Sequence, residues 1–148
     1  TDLTADQISF NGAIADTKTS TQMSQFLDLI RKQAHLPLFA AVETINHVPN
    51  AAGLASSASG YAALAAAGSR AAGLELNDRD LSRLARRGSG SATRSIYGGF
   101  VEWQRGTNDL DSYAVPVQET VDWDIQMIAI VLNAISRTKC DADACDNP

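Results

Sequence analysis

Apolar side chains recur every three or four positions between residues 20 and 34, where most other positions are polar. The apolar positions are Met23, Phe26, Leu27, Ile30 and Ala34. This spacing places them on one face of an amphipathic helix, for which we predict the span 20–34. Thr19, followed three residues later by Gln22, resembles a capping box at the helix start, and Pro37 fits its termination.

Two segments that flank this helix have the pattern of strands. Residues 8–14 alternate loosely between apolar and polar, and Asn11 and Gly12 at the centre are typical of a hairpin turn. Residues 38–45 are apolar and include β-branched side chains, which favours a strand. The amino-terminal part is therefore predicted to contain a hairpin, a helix and a further strand.

Two more helices are predicted in the middle of the chain. An alanine-dense segment follows the run AAGLASSASG, and Gly73 is placed to end that helix. Asn77 is a good N-cap for a short helix over 78–87, with Gly88 at its end. The positions predicted to face inward are Leu81, Leu84 and Ala85.

Strand patterns return after residue 95. Residues 96–103 predict a strand, in which Gly98 and Gly99 indicate a bulge or a close backbone approach. Residues 113–117 predict a short edge strand, and the nearly continuous apolar run 125–135 predicts a strand buried on both faces. The mixture of helices and strands predicts an α+β fold with one sheet.

Length and composition are those of a single globular domain. The chain has 148 residues, of which 45% are apolar and 20% charged, which excludes disordered and collagen-like classes. No apolar run approaches the roughly 18–20 residues of a membrane span. The stretch TDLTADQISFNG has neither the basic nor the apolar region of a signal peptide. We therefore predict a cytoplasmic location without membrane contact.

The carboxy-terminal residues 136–148 change abruptly to a polar composition. They hold the chain's only cysteines, Cys140 and Cys145, which form neither a disulfide framework nor a complete zinc site. The aspartates of this tail lack the glycine and the terminal glutamate of a calcium loop. We predict no metal site, and we interpret 136–148 as a tail that is disordered or foreign to the domain.

Charge is distributed unevenly along the chain. The net charge of −5 argues against general affinity for nucleic acids. Half of the 12 lysines and arginines nevertheless fall between residues 79 and 105. They are Arg79, Arg83, Arg86, Arg87, Arg94 and Arg105. This segment either binds a small anion or, for the first four arginines, is simply a solvated helix face.

Small polar residues precede the alanine-dense helix, where a phosphate group is most easily bound. The residues concerned are Gly53, Ser56, Ser57 and Ser59. A helix start offers N–H groups and a favourable dipole, small side chains let a phosphate reach the backbone, and serine hydroxyls add donors. The alternative is tight helix packing with serine caps. The run is no Walker A loop, and His35 and His47 are interpreted as structural or surface residues rather than catalytic bases.

Residues 88–95, with the sequence GSGSATRS, form a second candidate anion site. Serine hydroxyls, glycine backbone and the guanidinium of Arg94 all suit a phosphate or a carboxylate. Two such loops indicate two anionic ligands, for example a nucleotide and a phosphorylated substrate. The alternative for this loop is a flexible serine-glycine turn with a surface arginine.

Both loops resemble motifs of one enzyme family. PNAAGLASSASGYAALA resembles the phosphate-binding motif of the GHMP kinase superfamily. RLARRGSGSATRSIYGGFVEW is similar to a segment of one of its members, the diphosphomevalonate decarboxylase family. The resemblance covers residues 1–135. It implies that these residues are the central part of a truncated GHMP kinase-type N-terminal domain of the α+β class, which binds ATP and substrate.

The resemblance also implies a reaction and a role for each motif residue. Members use ATP and Mg²⁺ to phosphorylate the 3-hydroxyl of mevalonate 5-diphosphate, after which phosphate and CO₂ leave and isopentenyl diphosphate forms. Ser89 and Ser91 then correspond to contacts with the substrate diphosphate, and Arg94 corresponds to the guanidinium that orients its carboxylate. The positions that correspond to the nucleotide site are Thr44, Asn46, Gly53, Ser56, Ser57 and Ser59.

The chain departs from the family pattern at its two ends. We find neither the lysine-tyrosine-tryptophan segment expected before it nor the segment that carries the family's proposed catalytic aspartate. We therefore expect the chain alone not to turn over, and a homodimer is possible. The alternatives are a small-molecule kinase of the same superfamily, such as a phosphomevalonate kinase, and a non-catalytic anion-binding remnant.

Overall fold

The computed structural model describes residues 3–47, 56–126 and 128 of the chain. In that part of the chain, helices and strands are mixed, as the sequence predicts for an α+β fold. In chain order the elements are β1 (Gln7–Phe10), β2 (Ala13–Ile14), α1 (Thr17–Ala34), β3 (Ala41–Thr44), α2 (Ser56–Ala71), α3 (Asp78–Gly88), a 3-10 helix (Gly90–Ile96), β4 (Phe100–Trp103) and β5 (Ala114–Gln118).

The first sheet has the strand order β2-β1-β3. β1 pairs antiparallel with β2 through a turn at Asn11 and Gly12, whose φ angles of 49° and 80° are those of a two-residue hairpin. β1 also pairs in parallel with β3, with Ile8 opposite Val42. The predicted hairpin is therefore confirmed. The predicted strand 38–45 is shorter than expected, because pairing with β1 extends only over residues 41–44.

The start of α1 differs from the prediction. Asp16, not Thr19, is the N-cap, since its carboxylate accepts hydrogen bonds from the N–H of Thr19 at 3.0 Å and from the hydroxyl of Thr19 at 2.6 Å. The capping-box interpretation of Thr19 and Gln22 is wrong because an aspartate three residues upstream satisfies the first turn instead. The helix ends at Ala34, and His35 adopts the left-handed conformation with φ of 54°.

The turn between α2 and α3 matches the prediction closely. Gly73 has a φ of 75°, and the N–H groups of Gly73 and Leu74 bond to the carbonyls of Arg70 and Ser69 at 3.0 and 2.9 Å. This pattern is a Schellman motif, which needs the left-handed conformation at the glycine. The side chain of Asn77 then caps α3 by accepting from the N–H of Asp80 at 2.9 Å.

The core lies between the first sheet and the three helices. The predicted stripe of α1 supplies four of its buried residues, and alanine and leucine side chains of α2 and α3 supply most of the rest. A Cβ atom built on Gly68 of α2 would lie 2.7 Å from Cδ1 of Ile30, so glycine permits α1 to approach α2 closely. The buried apolar residues of the cluster are Ile8, Met23, Phe26, Leu27, Ile30, Leu64, Ala65, Leu84, Ala85 and Ala92.

The prediction of one sheet is wrong for the part of the chain that the structure describes. β4 and β5 form a separate antiparallel ribbon with no pairing to the first sheet. β4 is shorter than the predicted strand 96–103 because the 3-10 helix includes Ile96 and pairing with β5 begins only at Phe100. The predicted strand 125–135 lies mostly outside the described residues, and the predicted tail 136–148 lies entirely outside them.

The described residues lack two features. None of the helices within them is long and apolar enough to cross a membrane. Nor do these residues contain a group of three or more His, Cys, Asp or Glu side chains arranged to bind a metal ion.

Candidate nucleotide and anion site

A cleft of about 790 Å³ opens between the first sheet, the start of α1 and the start of α2. Five of the six candidate nucleotide residues line it: Thr44, Asn46, Ser56, Ser57 and Ser59. The sixth, Gly53, lies outside the described residues. Parallel pairing of β1 with β3 brings Thr44 to the same end of the sheet as Phe10, beside the hairpin turn. The N–H of Asn46 then donates to the side chain of Asn11 at 2.8 Å.

The three serines occupy the first turn of α2. Ser57 and Ser59 are exposed, and the hydroxyl of Ser59 donates to the carbonyl of Ser56 at 3.1 Å. The first turn of a helix carries N–H groups without intrahelical partners and the positive end of the helix dipole. This turn contains no acidic residue, so its electrostatics favour an anion. The Ser59 bond is not a serine cap, because a cap accepts from a backbone N–H whereas this hydroxyl donates to a carbonyl.

The two loops singled out from the sequence meet in space. The hydroxyl oxygens of Ser57 and Ser89 are 3.5 Å apart, as are those of Ser89 and Ser91. A separation of 3.5 Å is at the outer limit of a hydrogen bond, so the hydroxyls are neighbours without being tightly paired. The start of α2 and the start of the 3-10 helix therefore present one continuous row of hydroxyl groups.

The second loop is helical rather than flexible. Residues 90–96 form the 3-10 helix, and Ala92 and Thr93 within it are completely buried. Thr93 is held by Ser82 of α3, whose hydroxyl lies 2.7 Å from the hydroxyl and 2.8 Å from the carbonyl oxygen of Thr93. Most of this loop is thus a 3-10 helix anchored by a buried threonine rather than a serine-glycine turn, although its arginine is at the surface, as the alternative has it.

Arg94 directly follows the buried Thr93 in the 3-10 helix. Its side chain is exposed, and it has no hydrogen bond or ion pair to another residue within 3–47, 56–126 or 128. Ser89, Ser91 and Arg94 do not line the cleft. The structure therefore brings Ser89 to the edge of the nucleotide candidates and leaves the side chain of Arg94 exposed five residues further along the chain.

The arginines of α3 have protein partners that the sequence did not indicate. Arg83 donates to both the carboxylate and the carbonyl of Asp109, at 3.1 and 2.8 Å, and Arg86 also pairs with that carboxylate. The guanidinium of Arg79 lies 4.2 Å from the ring centre of Tyr113. Arg83 and Arg86 thus attach the β4–β5 connection to α3, whereas Arg79 and Arg87 are exposed, as the solvated-face alternative has it. Asp109 is far away in sequence, and no local pattern marks it.

The fold and the row of hydroxyls define the class of protein. The α+β architecture and the serine-rich start of α2 agree with the GHMP kinase-type N-terminal domain that the motifs predict. Solved structures of mevalonate diphosphate decarboxylases align with 78% of the chain. The family described as diphosphomevalonate decarboxylase-like N-terminal domain matches residues 1–114. The chain therefore belongs to the diphosphomevalonate decarboxylase family.

Individual relatives agree with this assignment. Diphosphomevalonate decarboxylase of Rattus norvegicus is 38% identical over 151 aligned positions, which cover 93% of this chain and 37% of the relative. A solved structure of the mevalonate diphosphate decarboxylase from Enterococcus faecalis, described by its mevalonate diphosphate-mediated ATP binding, is 52% identical with a TM-score of 0.74. It aligns with 78% of this chain and 36% of its own.

A further solved structure contains ligands. It is MDDEF in complex with MVAPP, AMPPCP and magnesium, and it is also 52% identical, with a TM-score of 0.74 over 78% of this chain and 36% of its own. The chain thus spans little more than a third of the length of the relatives that it matches.

Proposed function

We propose that this chain supplies the part of a diphosphomevalonate decarboxylase that binds ATP and mevalonate 5-diphosphate. The observation that carries the proposal is the 3.5 Å separation of the Ser57 and Ser89 hydroxyls, which puts the candidate nucleotide site next to the candidate substrate site. Family membership and the relatives described with an ATP analogue and MVAPP support it. The reaction is the ATP-dependent decarboxylation of mevalonate 5-diphosphate to isopentenyl diphosphate.

The cleft is the proposed nucleotide site. Its volume of about 790 Å³ is within the range of ordinary ligand pockets. Ser56, Ser57 and Ser59, with Gly53, bind the triphosphate through hydroxyl and backbone donors at the start of α2. Thr44 and Asn46, at the end of β3, face the remainder of the nucleotide.

Magnesium is the proposed metal, as in the relative that contains it. The donors present fit this ion, because Mg²⁺ prefers oxygen ligands and is usually held by phosphate oxygens with few protein groups. Serine hydroxyls at the start of α2 are the groups in this chain that would contact it. When bound with ATP, the ion neutralises charge on the phosphates.

The row from Ser89 to Arg94 is the proposed substrate site. Ser89 and Ser91 donate to the diphosphate, and the guanidinium of Arg94 orients the carboxylate through its planar pair of donors. A tertiary hydroxide is a poor leaving group, so phosphorylation of the 3-hydroxyl comes first. When the carbon–carbon bond to the carboxylate breaks, its electron pair forms the new double bond and expels phosphate, releasing CO₂. Holding both polyphosphates in fixed positions is the chain's contribution to that sequence.

The remaining expectations belong to the same proposal. We place the reaction in the cytoplasm, where ATP is supplied, and a homodimer stays a prediction. Because the family's catalytic aspartate was not found among these 148 residues, we expect the isolated chain to bind ligands without turnover.

Calorimetry with Mg·ATP on the 148-residue chain tests the nucleotide site. We expect Ser57→Ala to weaken binding roughly tenfold, which corresponds to about 1.4 kcal/mol for one hydrogen bond to a charged group. Thr21→Ala is the matched control, because it removes an exposed hydroxyl that bonds only within α1. Equal affinity of Ser57→Ala and the unmodified chain, or no binding by the unmodified chain, would contradict the proposal.

A further inference from the structure

Two glycines flank Ser89, and each lies against an aromatic ring. A Cβ atom built on Gly88 would be 2.6 Å from Cε1 of Tyr61 and closer still to the ring's Cδ1 and Cγ. A Cβ atom built on Gly90 would be 3.2 Å from Cη2 of Trp103. Real Cβ atoms essentially never come within 3.0 Å of another heavy atom, so the position of the Tyr61 ring requires glycine at 88.

These contacts change the interpretation of the GSG sequence. The φ angles of Gly88 and Gly90 are not in the left-handed region, so neither glycine is required by its backbone conformation. Gly88 is required because a side chain there would displace the ring of Tyr61. Ser89 itself has the extended angles φ −151° and ψ 127° between two helical segments. Aromatic rings therefore confine the backbone on both sides of Ser89.

Tyr61 also belongs to the helix that carries the candidate nucleotide serines. Ser57 and Tyr61 are four residues apart on α2, which places them on the same face, one turn after the other. From that face the hydroxyl of Ser57 reaches Ser89, and one turn further the ring of Tyr61 covers Gly88. Ser89 thus contacts the first turn of α2 through Ser57, and Gly88 contacts the next turn through Tyr61.

The ring of Tyr61 is itself held in place from below. It makes an edge-on contact with Phe26 of α1, with ring centres 5.2 Å apart and planes inclined by 66°. Phe26 is 3% exposed and belongs to the core. The ring is consequently a rigid spacer between the core, α2 and the end of α3.

We propose that Tyr61 is a positioning residue that fixes the separation between the Ser57 and Ser89 hydroxyls. Its importance for ligands rests on the proposed function, in which these serines belong to the two anion sites. The ring acts by its shape, since it separates the backbone of Gly88 from α2 by one aromatic thickness.

Disulfide trapping measures this separation without any ligand. Ser57→Cys and Ser89→Cys are combined in the full chain with Cys140→Ser and Cys145→Ser, and the rate of crosslinking is followed under mild oxidation. Side chains whose terminal atoms are 3.5 Å apart need little movement to form a disulfide. The rate is compared among Tyr61, Tyr61→Phe, which keeps the ring, and Tyr61→Leu, which removes it.

We expect Tyr61→Phe to crosslink as fast as Tyr61, and Tyr61→Leu several-fold more slowly. The melting temperature of each variant is measured alongside, because a merely structural role would lower it without slowing crosslinking of the folded chain. Should Tyr61→Leu fail to fold, Tyr61→Met, which also removes the ring and leaves Gly88 unchanged, is trapped instead. Crosslinking at the unmodified rate in whichever of these two variants is folded would overturn the proposal.

Failure here is distinct from failure of the proposed function. The trapping rate depends only on the geometry of the chain, whereas the calorimetric test depends on ligand binding. A chain that binds no Mg·ATP but crosslinks as expected would retain Tyr61 as the spacer and lose the nucleotide site. A chain that binds Mg·ATP and crosslinks independently of Tyr61 would keep the nucleotide site and rule out Tyr61 as the spacer.

Discussion

The hydroxyl of Ser82 lies 2.7 Å from the hydroxyl and 2.8 Å from the carbonyl oxygen of Thr93, and all of these groups are buried. The same Ser82 oxygen accepts a hydrogen bond from the N–H of Ala114 at 2.9 Å. One side chain of α3 thus joins the 3-10 helix to β5. Thr93 directly precedes Arg94. This buried connection therefore fixes the backbone position from which the side chain of Arg94 extends, and with it the guanidinium proposed to bind the carboxylate.

We predict that Ser82→Ala lowers the free energy of unfolding by about 2–3 kcal/mol, because it leaves the N–H of Ala114 and the hydroxyl of Thr93 buried without their partner. Urea unfolding followed by circular dichroism measures the change. Thr21→Ala, which removes an exposed hydroxyl, serves as the control and is expected to change stability by no more than about 0.5 kcal/mol. A similar small effect of Ser82→Ala would contradict the prediction.

A second buried network fixes the first sheet to α1. The carboxylate of Asp6 receives two hydrogen bonds of 2.9 Å from Arg31, one of 2.8 Å from the N–H of Ala40 and one from the hydroxyl of Ser24. Burial disfavours the charged form of Asp6, but these hydrogen bonds outweigh it and hold the pKa of the carboxyl below its ordinary value of 3.8. The side chain is only 2% exposed.

The lowered pKa gives stability a defined dependence on pH. The unfolded chain takes up a proton at Asp6 at higher pH than the folded chain does, so this contribution is present above about pH 3.8 and is lost as the pH falls through the folded pKa. We expect Asp6→Asn to destabilise the chain at pH 7 and to flatten the loss of stability on acidification. Part of the loss of stability on acidification should remain in this variant, because hydrogen bonds from Thr19 also lower the pKa of Asp16.

Thermal unfolding between pH 7 and pH 3 measures both effects. The matched control is Asp28→Asn, because Asp28 pairs with the same Arg31 but is 67% exposed. An exposed ion pair contributes little, so we expect this control to keep the pH profile of the unmodified chain. If Asp6→Asn also kept that profile, the stability would not be linked to Asp6.

Local signals were sufficient to predict most of the elements. The stripe of α1, the Asn11–Gly12 turn, the Gly73 end of α2 and the Asn77 cap of α3 depend on residues within one or two turns of each other, and each is confirmed. The predicted start of α1 is wrong because Asp16 and Thr19 are both acceptable caps, and the structure forms the cap at Asp16.

What the sequence did not reveal depends on contacts between distant segments. The GSATRS segment lacks apolar periodicity, and it is helical because Ser82, 11 residues earlier, bonds to its buried Thr93. Asp109 binds arginines 23 and 26 residues away. Glycine is required at position 88 because the ring of Tyr61 occupies the space of a side chain there. The motifs therefore indicated which residues form the candidate site, and the packing that supports them had to come from the structure.

The arginines of α3 and Arg94 are predicted to have opposite effects on substitution. Arg86 donates to the carbonyl of Ser112 at 3.1 Å and pairs with Asp109, so Arg86→Gln should lower stability by about 1–2 kcal/mol and leave ligand binding unchanged. Arg94→Gln should leave stability unchanged, because the side chain is exposed and makes no bond to other described residues. It should weaken binding of mevalonate 5-diphosphate roughly tenfold.

Urea unfolding and calorimetry with mevalonate 5-diphosphate separate these two outcomes. Each variant is the control for the other, since both replace arginine by glutamine in neighbouring helical segments. Loss of mevalonate 5-diphosphate binding in Arg86→Gln, at unchanged stability, would show that Arg86 contacts the ligand and would contradict the prediction. Unchanged binding in Arg94→Gln would remove Arg94 from the proposed substrate site.

Gly98 and Gly99 precede β4 in sequence, but only Gly99 has a structural requirement. Gly99 has a φ of 72°, and a Cβ atom on it would lie 2.7 Å from the carbonyl oxygen of Glu119 and closer still to that of Gln118. Gly98 has no atom within 4 Å of the same position. The register shift between Phe100 and Val101 lies directly beside Gly99.

We therefore predict that Gly99→Ala destabilises the chain by more than about 2 kcal/mol, because the left-handed conformation costs about 1–2 kcal/mol for alanine and the carbonyls add a steric clash. Gly98→Ala should change stability by less than about 0.5 kcal/mol, since an added methyl group there meets open space. Urea unfolding of the two variants gives the comparison directly. Phe100 and Trp123 contact each other beside this bend, so tryptophan fluorescence is expected to change in Gly99→Ala alone. Equal stability of the two variants would show that the two carbonyls move away from residue 99 at little cost in free energy.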